Sequence, residues 1–169
     1  NNYEFKKNNF KHLFNNFTLL HLDEKWFEGY YYRDFQYMNL DPHNFELLIE
    51  TIYKKFNNNI IITSGNISIT QFDLIKKNYF EKINKNIFIS KKFKYKLLFV
   101  DNTDFRDLEY IVEKSKEVIC CEGAISHVSN AFNKKTYALI NNFKTAKFWT
   151  SHMKNLKLLK RSNIKNICK

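Results

Sequence analysis

Residues 17–63 constrain the fold more than any other stretch, because they set two short apolar runs on either side of one strongly periodic helix. Phe17–Leu22 (FTLLHL) and Ile60–Thr63 (IIIT) have the length and composition of strands buried on both faces. Between them, Asp41-Pro42 reads as a helix start, with Asp as the cap and Pro in the first turn. Phe45, Leu48, Ile49, Ile52, Tyr53 and Phe56 then recur at the spacing of one buried helical face, and residues 57–59 (NNN) end it. Strand, helix and strand in that order make a parallel crossover.

The rest of the chain repeats the pattern. A second helix is expected around Phe72, Ile75 and Tyr79, followed by short strands at Ile87–Ser90 and Leu97–Val100. A third helix opens at Thr103 or Asp104, with Phe105, Leu108, Ile111 and Val112 facing inward. Then come a strand at Glu117–Cys121, a helix at residues 124–132 with Ile125, Val128 and Phe132 as its buried stripe, and a last strand at residues 136–140. The alternation predicts an α/β fold: a doubly wound, mainly parallel sheet with helices on both faces. Residues 1–16 read as a linker or entering helix, 17–143 as the α/β domain, and 144–169 as a basic C-terminal helix or tail carrying Trp149 and His152. The chain begins at Asn1 and is expected to be part of something longer.

With 44% hydrophobic and 27% charged residues, the chain is globular rather than disordered. Its net charge of +11 attracts polyanions. The lysines are spread through every segment, so two readings stand: a solvated lysine surface, or a patch facing an anionic membrane or polyanion, best placed at residues 144–169. Cys120 and Cys121 are adjacent and Cys168 stands alone, with no C-x-x-C. This excludes a disulfide framework and a zinc site, and fits apolar strand residues in a reducing compartment. The expected location is cytoplasmic, with the inner face of the membrane as a second placement. No apolar run approaches the ~20 residues of a membrane span, and no signal peptide is expected at the start of the given residues.

In such sheets ligands bind beyond the carboxyl ends of the strands, where Gly29, Gly65 and Gly123 all fall. Residues 118–130 (VICCEGAISHVSN) are the most informative, running from a buried strand through Glu122-Gly123 into a helix. The amides at that helix mouth, Ala124, Ile125 and Ser126 among them, form a ready anion site. His127 lies about 100° from Val128 around the helix axis, off the core stripe and leaning toward the mouth. An exposed polar residue is its other reading. Glu122 is a helix cap or an acceptor for sugar hydroxyls. The loop after the first strand offers His21, Asp23 and Lys25, the last a cation for the same phosphates or one more surface lysine. Ser64 and Gly65, after the second strand, are further candidates. The dinucleotide fingerprint, the P-loop, the nucleophile elbow and an Asp-x-Asp metal clamp are all missing from the sequence.

These residues resemble the donor-binding half of GT-B glycosyltransferases, and among them the ADP-heptose:lipopolysaccharide heptosyltransferase family. The likeness lies in Leu108–Val112 before a strand, Val118–Cys121, the Glu122-Gly123 turn, His127 in the next helix, the small residues at Ser129–Ala131 and the strand residues Tyr137–Ile140. His127 stands one residue further from the glycine than in that family's motif, and Glu122 directly precedes the glycine. The stretch HLDEKWF (residues 21–27) is similar to the family's lysine-tryptophan segment after the first strand of the same half. There the lysine contacts donor phosphates, a role the resemblance implies for Lys25, with packing for Trp26.

The resemblance implies a metal-independent glycosyltransferase, binding a nucleotide-diphosphate sugar as donor substrate with no separate cofactor. It further implies a glycan or glycolipid acceptor, an N-terminal acceptor domain outside this chain, and a place in cell-surface glycan or lipopolysaccharide-type assembly. No residue is assigned as catalytic base. Two rivals stay open: a nucleotide-sugar epimerase-type enzyme on the same half-fold, and a basic nucleic-acid-binding module. Nucleic acid is not the expected partner, because most aromatics fall on core-facing positions.

Overall fold

A computed structural model describes residues 16–27 and 40–161. Gly29 and the expected linker at residues 1–15 lie outside the described residues. The described residues build one eight-stranded sheet in the order β3-β4-β5-β2-β1-β6-β7-β8. The strands are β1 (Phe17–Leu22), β2 (Asn59–Ser64), β3 (Glu81–Lys82), β4 (Ile87–Ser90), β5 (Leu97–Val100), β6 (Glu117–Cys121), β7 (Lys135–Ile140) and β8 (Leu156–Lys160). From β5 to β8 every neighbouring pair is parallel; β3 and β4 form an antiparallel hairpin on the edge. Helices α1 (Pro42–Phe56), α2 (Thr70–Tyr79), α3 (Phe105–Lys114), α4 (Ala124–Ala131) and α5 (Phe143–Thr150) make the crossovers. The fold is therefore the doubly wound α/β sheet that the alternation predicts.

Local chemistry sets the helix ends. Asp41 caps α1 by accepting the Asn44 amide at 2.7 Å, and Asn57 closes it in a left-handed conformation. Asp104 caps α3 the same way on the Asp107 amide, at 2.8 Å. Two apolar clusters lie on opposite faces of the sheet. One joins α1 and α2 to Leu20, Leu22, Ile60, Ile62 and Phe99; the other joins α3 and α4 to Leu19, Ile61, Leu98, Val118 and Cys120. Successive strand residues alternate between the clusters, as the pleat requires.

Three expectations are corrected. Phe105, placed on the buried face of α3, is 59% exposed; as the first helical residue it overhangs the sheet edge, and only Ile111 and Val112 are buried. In α4 the buried residues are Ile125, Ser126 and Ser129, while Phe132 is exposed. The two serines can face inward because their hydroxyls are satisfied, by Gly123 O at 2.6 Å and by the Thr136 hydroxyl at 2.6 Å. Small residues then let the helix approach the strands closely. Residues 136–140 are not the last strand: the stretch read as a basic helix or tail holds α5 and then β8, whose five residues pair with Thr136–Ile140.

Candidate functional site

Connections from β1 leave toward β2 by way of α1 on one face, and the connection from β6 leaves toward β7 by way of α4 on the other. The gap between β1 and β6 is thus the topological switch point of the sheet, where open α/β sheets form their ligand crevice. The registers show the two strands parting there. β1 pairs with β2 up to Leu22↔Ser64, and β6 with β7 up to Cys121↔Leu139. Between β1 and β6 the pairing stops at Leu20↔Ile119.

Residues from both loops close the base of this gap. Asp23 accepts the Lys25 amide at 3.1 Å and starts a 3-10 turn, Glu24–Trp26. The turn buries Trp26, whose indole N–H donates to His21 O at 3.0 Å and takes up the carbonyl left by the parting strand. Lys25 is thereby aimed across the gap, and its ammonium donates to Glu122 O at 2.6 Å. The Asp23 carboxylate stands 3.6 Å from the same ammonium. Burial raises the Asp23 carboxyl above its ordinary range, against the pull of Lys25 and, more weakly, of Arg161.

Gly123 is required on geometric grounds. Its φ of +152° with ψ of −160° belongs to a region that side chains rarely enter, and a Cβ there would lie 2.8 Å from Lys25 Nζ. As the N-cap of α4 it offers no side-chain cap. The first amides of a helix, here those of Ala124 and Ile125, have no intrahelical acceptor. A cation and a helix mouth therefore meet at one point, joined from segments 98 residues apart (25 to 123).

The remaining sequence-derived candidates separate from this point. Ser126 is 2% exposed with its hydroxyl on Gly123 O, so it braces the turn. Ile125 contributes its amide only, its side chain being core. His127 is exposed and its ring stacks on His152, in the turn after α5, at 5.8 Å. His21 is a core residue bonded to the Thr63 hydroxyl at 2.9 Å; burial, helped by the Lys25 charge, lowers its pKa to about 4, so it is neutral at pH 7. Ser64 donates to Asp101 at 2.6 Å and accepts from the Asn102 amide at 3.0 Å, which ties it to the β5 loop. Gly65 has open space where a Cβ would go. Glu122 is half-buried, and its backbone rather than its carboxylate meets Lys25.

One residue escaped the sequence reading. Arg161, 5% exposed, follows β8 with its amide on Ile140 O at 2.9 Å, and its charge acts on Asp23 and Cys121. The signal was available in residues 156–160 (LKLLK), whose partly alternating pattern suits an edge strand and puts residue 161 at the carboxyl edge. Among the described residues, no group of three or more His, Cys, Asp or Glu is placed to hold a metal ion.

Fold and crevice together define a Rossmann-like α/β sheet of the kind found in GT-B-like proteins. No protein-family model matches the sequence, and no curated protein matches it. Among solved structures the chain is similar to a UDP-GlcNAc 2-epimerase from Methanocaldococcus jannaschii, with a TM-score of 0.55 and 13% identity. The likeness covers 97% of this chain and 42% of that one, so this chain spans less than half the length of its structural neighbour. At that identity the likeness establishes the fold, and it does not single out the heptosyltransferases.

Proposed function

We propose that this chain is the nucleotide-diphosphate-sugar-binding half of a sugar-processing enzyme, with the diphosphate seated at the β1/β6 crevice. The observation that carries this reading is Lys25 Nζ lying 2.6 Å from Glu122 O, beside Gly123, whose missing side chain leaves it room. An ammonium has three donors. Glu122 O engages one, and the Asp23 carboxylate stands 3.6 Å away as an ion-pair partner, which leaves donors for a phosphate arriving at the mouth of α4. Charge growing on a leaving diphosphate would be met by that ammonium and by the Ala124 and Ile125 amides, in a partly dry crevice where such contacts are strong.

Glycosyl transfer is the reaction the sequence resemblance implies. The acceptor oxygen bonds to the anomeric carbon, the bond from that carbon to the diphosphate oxygen breaks, and its electron pair leaves with the nucleotide. The acceptor proton passes to a general base. Epimerisation is the second reading, favoured by the structural neighbour, a UDP-GlcNAc 2-epimerase.

Calorimetric titration of the chain with UDP, ADP, GDP and CMP tests the common core. Selective, salt-tolerant binding of one nucleoside diphosphate is expected; equal, salt-sensitive binding of every anion would refute it. With the matching nucleotide sugar, acceptor-dependent release of nucleoside diphosphate marks transfer. Acceptor-independent conversion of the sugar with the nucleotide still attached marks epimerisation.

A further inference from the structure

The chain's charge is unevenly placed along its length. No Asp or Glu occurs after Glu122, whereas ten of the 28 Lys and Arg residues do. In the fold this acid-free segment forms α4, β7, α5 and β8, the flank farthest from the β3–β4 hairpin. Because α4 and α5 are crossovers between parallel strands, their C-terminal ends lie at the amino edge of the sheet, opposite the β1/β6 crevice. Phe132 at the end of α4 and Phe148 and Trp149 in the last turn of α5 are 37%, 77% and 65% exposed. Phe148 and Trp149 pack edge to face at 5.6 Å, so they present one apolar knob. At the same edge an open cavity of about 640 Å³ is lined by Lys116, Lys134, Lys135 and Lys157, with Asn133 and Asn155 between them.

We infer that this amino edge docks on an anionic lipid bilayer, with Phe148 and Trp149 entering the headgroup layer and the lysines facing lipid phosphates. Aromatic side chains exposed beside lysines are the composition of interfacial anchors, and the carboxylate opposite Lys135 on this edge, Glu117, is half-buried and accepts from Thr18 and Asn58. Two adjacent exposed aromatics make a contiguous apolar surface of the kind that marks interaction sites. The charge complements an anionic surface over the whole flank. Nucleic acid fits less well, since the exposed cations of the segment are all lysines and its one described arginine, Arg161, is buried. Forked recognition of bases and phosphates relies on arginine. The inference concerns the edge opposite the crevice and stands or falls separately from the nucleotide-sugar reading.

Tryptophan emission provides the test, because the chain has two tryptophans and Trp26 is already fully buried. Phosphatidylglycerol-containing vesicles should shift the emission of Trp149 to the blue, and phosphatidylcholine vesicles should not. Phe148→Ser should reduce the shift. Lys154→Gln with Lys157→Gln, both at exposed positions, should weaken vesicle binding about thirtyfold, at about 1 kcal/mol for each lysine near an anionic surface. Unshifted Trp149 emission with phosphatidylglycerol vesicles would overturn the inference. So would equal binding to both vesicle types, or an oligonucleotide that binds through the same lysines while vesicles leave Trp149 unmoved.

Discussion

Gly65 and Gly123 both follow a strand at the carboxyl edge of the sheet, yet the structure makes opposite demands on them. Gly65→Ala would place its methyl group in open space. The expected effect is neutral to stabilising by about 0.4–1 kcal/mol, through the lost freedom of the unfolded chain. Gly123→Ala must hold a side chain at φ +152°, at a cost of about 1–3 kcal/mol. For a chain of this size that lowers Tm by about 2–12 °C. Its Cβ also meets Lys25 Nζ at 2.8 Å, and the flexible lysine rather than the backbone gives way. Moving that ammonium forfeits a charge-assisted hydrogen bond to phosphate worth about 1.5–3 kcal/mol, or about 10- to 150-fold in nucleoside diphosphate affinity. Differential scanning calorimetry and calorimetric titration of both variants decide the matter. Equal melting of the two would refute the geometric reading of Gly123, and lowered stability with unchanged affinity would remove Lys25 from the site.

Three further outcomes follow from particular side chains. The folded pKa of His21, about 4, lies below the unfolded value of about 6.5, so the unfolded chain takes up the proton first as pH falls. Its contribution to stability is whole above pH ~6.5 and shrinks by about 2 kcal/mol by pH ~5, seen as a falling urea midpoint; a His21 ring resonance titrating near neutrality contradicts it. Ser126→Ala removes the hydroxyl that braces Gly123 O and should cost about 1 kcal/mol while leaving nucleotide affinity within about twofold; a large affinity loss in titration would instead put that hydroxyl on the ligand. Burial pushes the thiols of Cys120 and Cys121 well above their ordinary range, so peptide mapping after iodoacetamide treatment should find neither alkylated until urea unfolds the chain.

Much of the fold was legible because strand and helix periods are local properties. β4, β5 and β6 stand where their apolar runs end, and Asp41 and Asp104 cap the helices they open. What failed depended on partners that helical and strand periods do not register. The inward turn of Ser126 and Ser129 needs Gly123 O and Thr136 as acceptors, which no helical wheel contains. β8 was hidden because its LKLLK pattern carries lysines, as an edge strand with one solvated flank can. Within the site, Lys25 and Gly123 were legible as types at strand exits, and the structure adds that the Lys25 ammonium meets the carbonyl just before Gly123. His21, Ser64 and His127 carried the same signal, and the structure adds a partner for each: Thr63, Asp101 and His152.

Amide spectra of the labelled chain during titration with its preferred nucleoside diphosphate bear most directly on the crevice. The largest shifts should fall on Gly123, Ala124, Ile125 and Lys25, and Lys25→Met should need at least about tenfold more ligand to reach them. Shifts gathered instead around Lys134 and Lys157 at the amino edge, and indifferent to Lys25→Met, would show that the β1/β6 crevice is a structural joint and that the phosphates are held elsewhere.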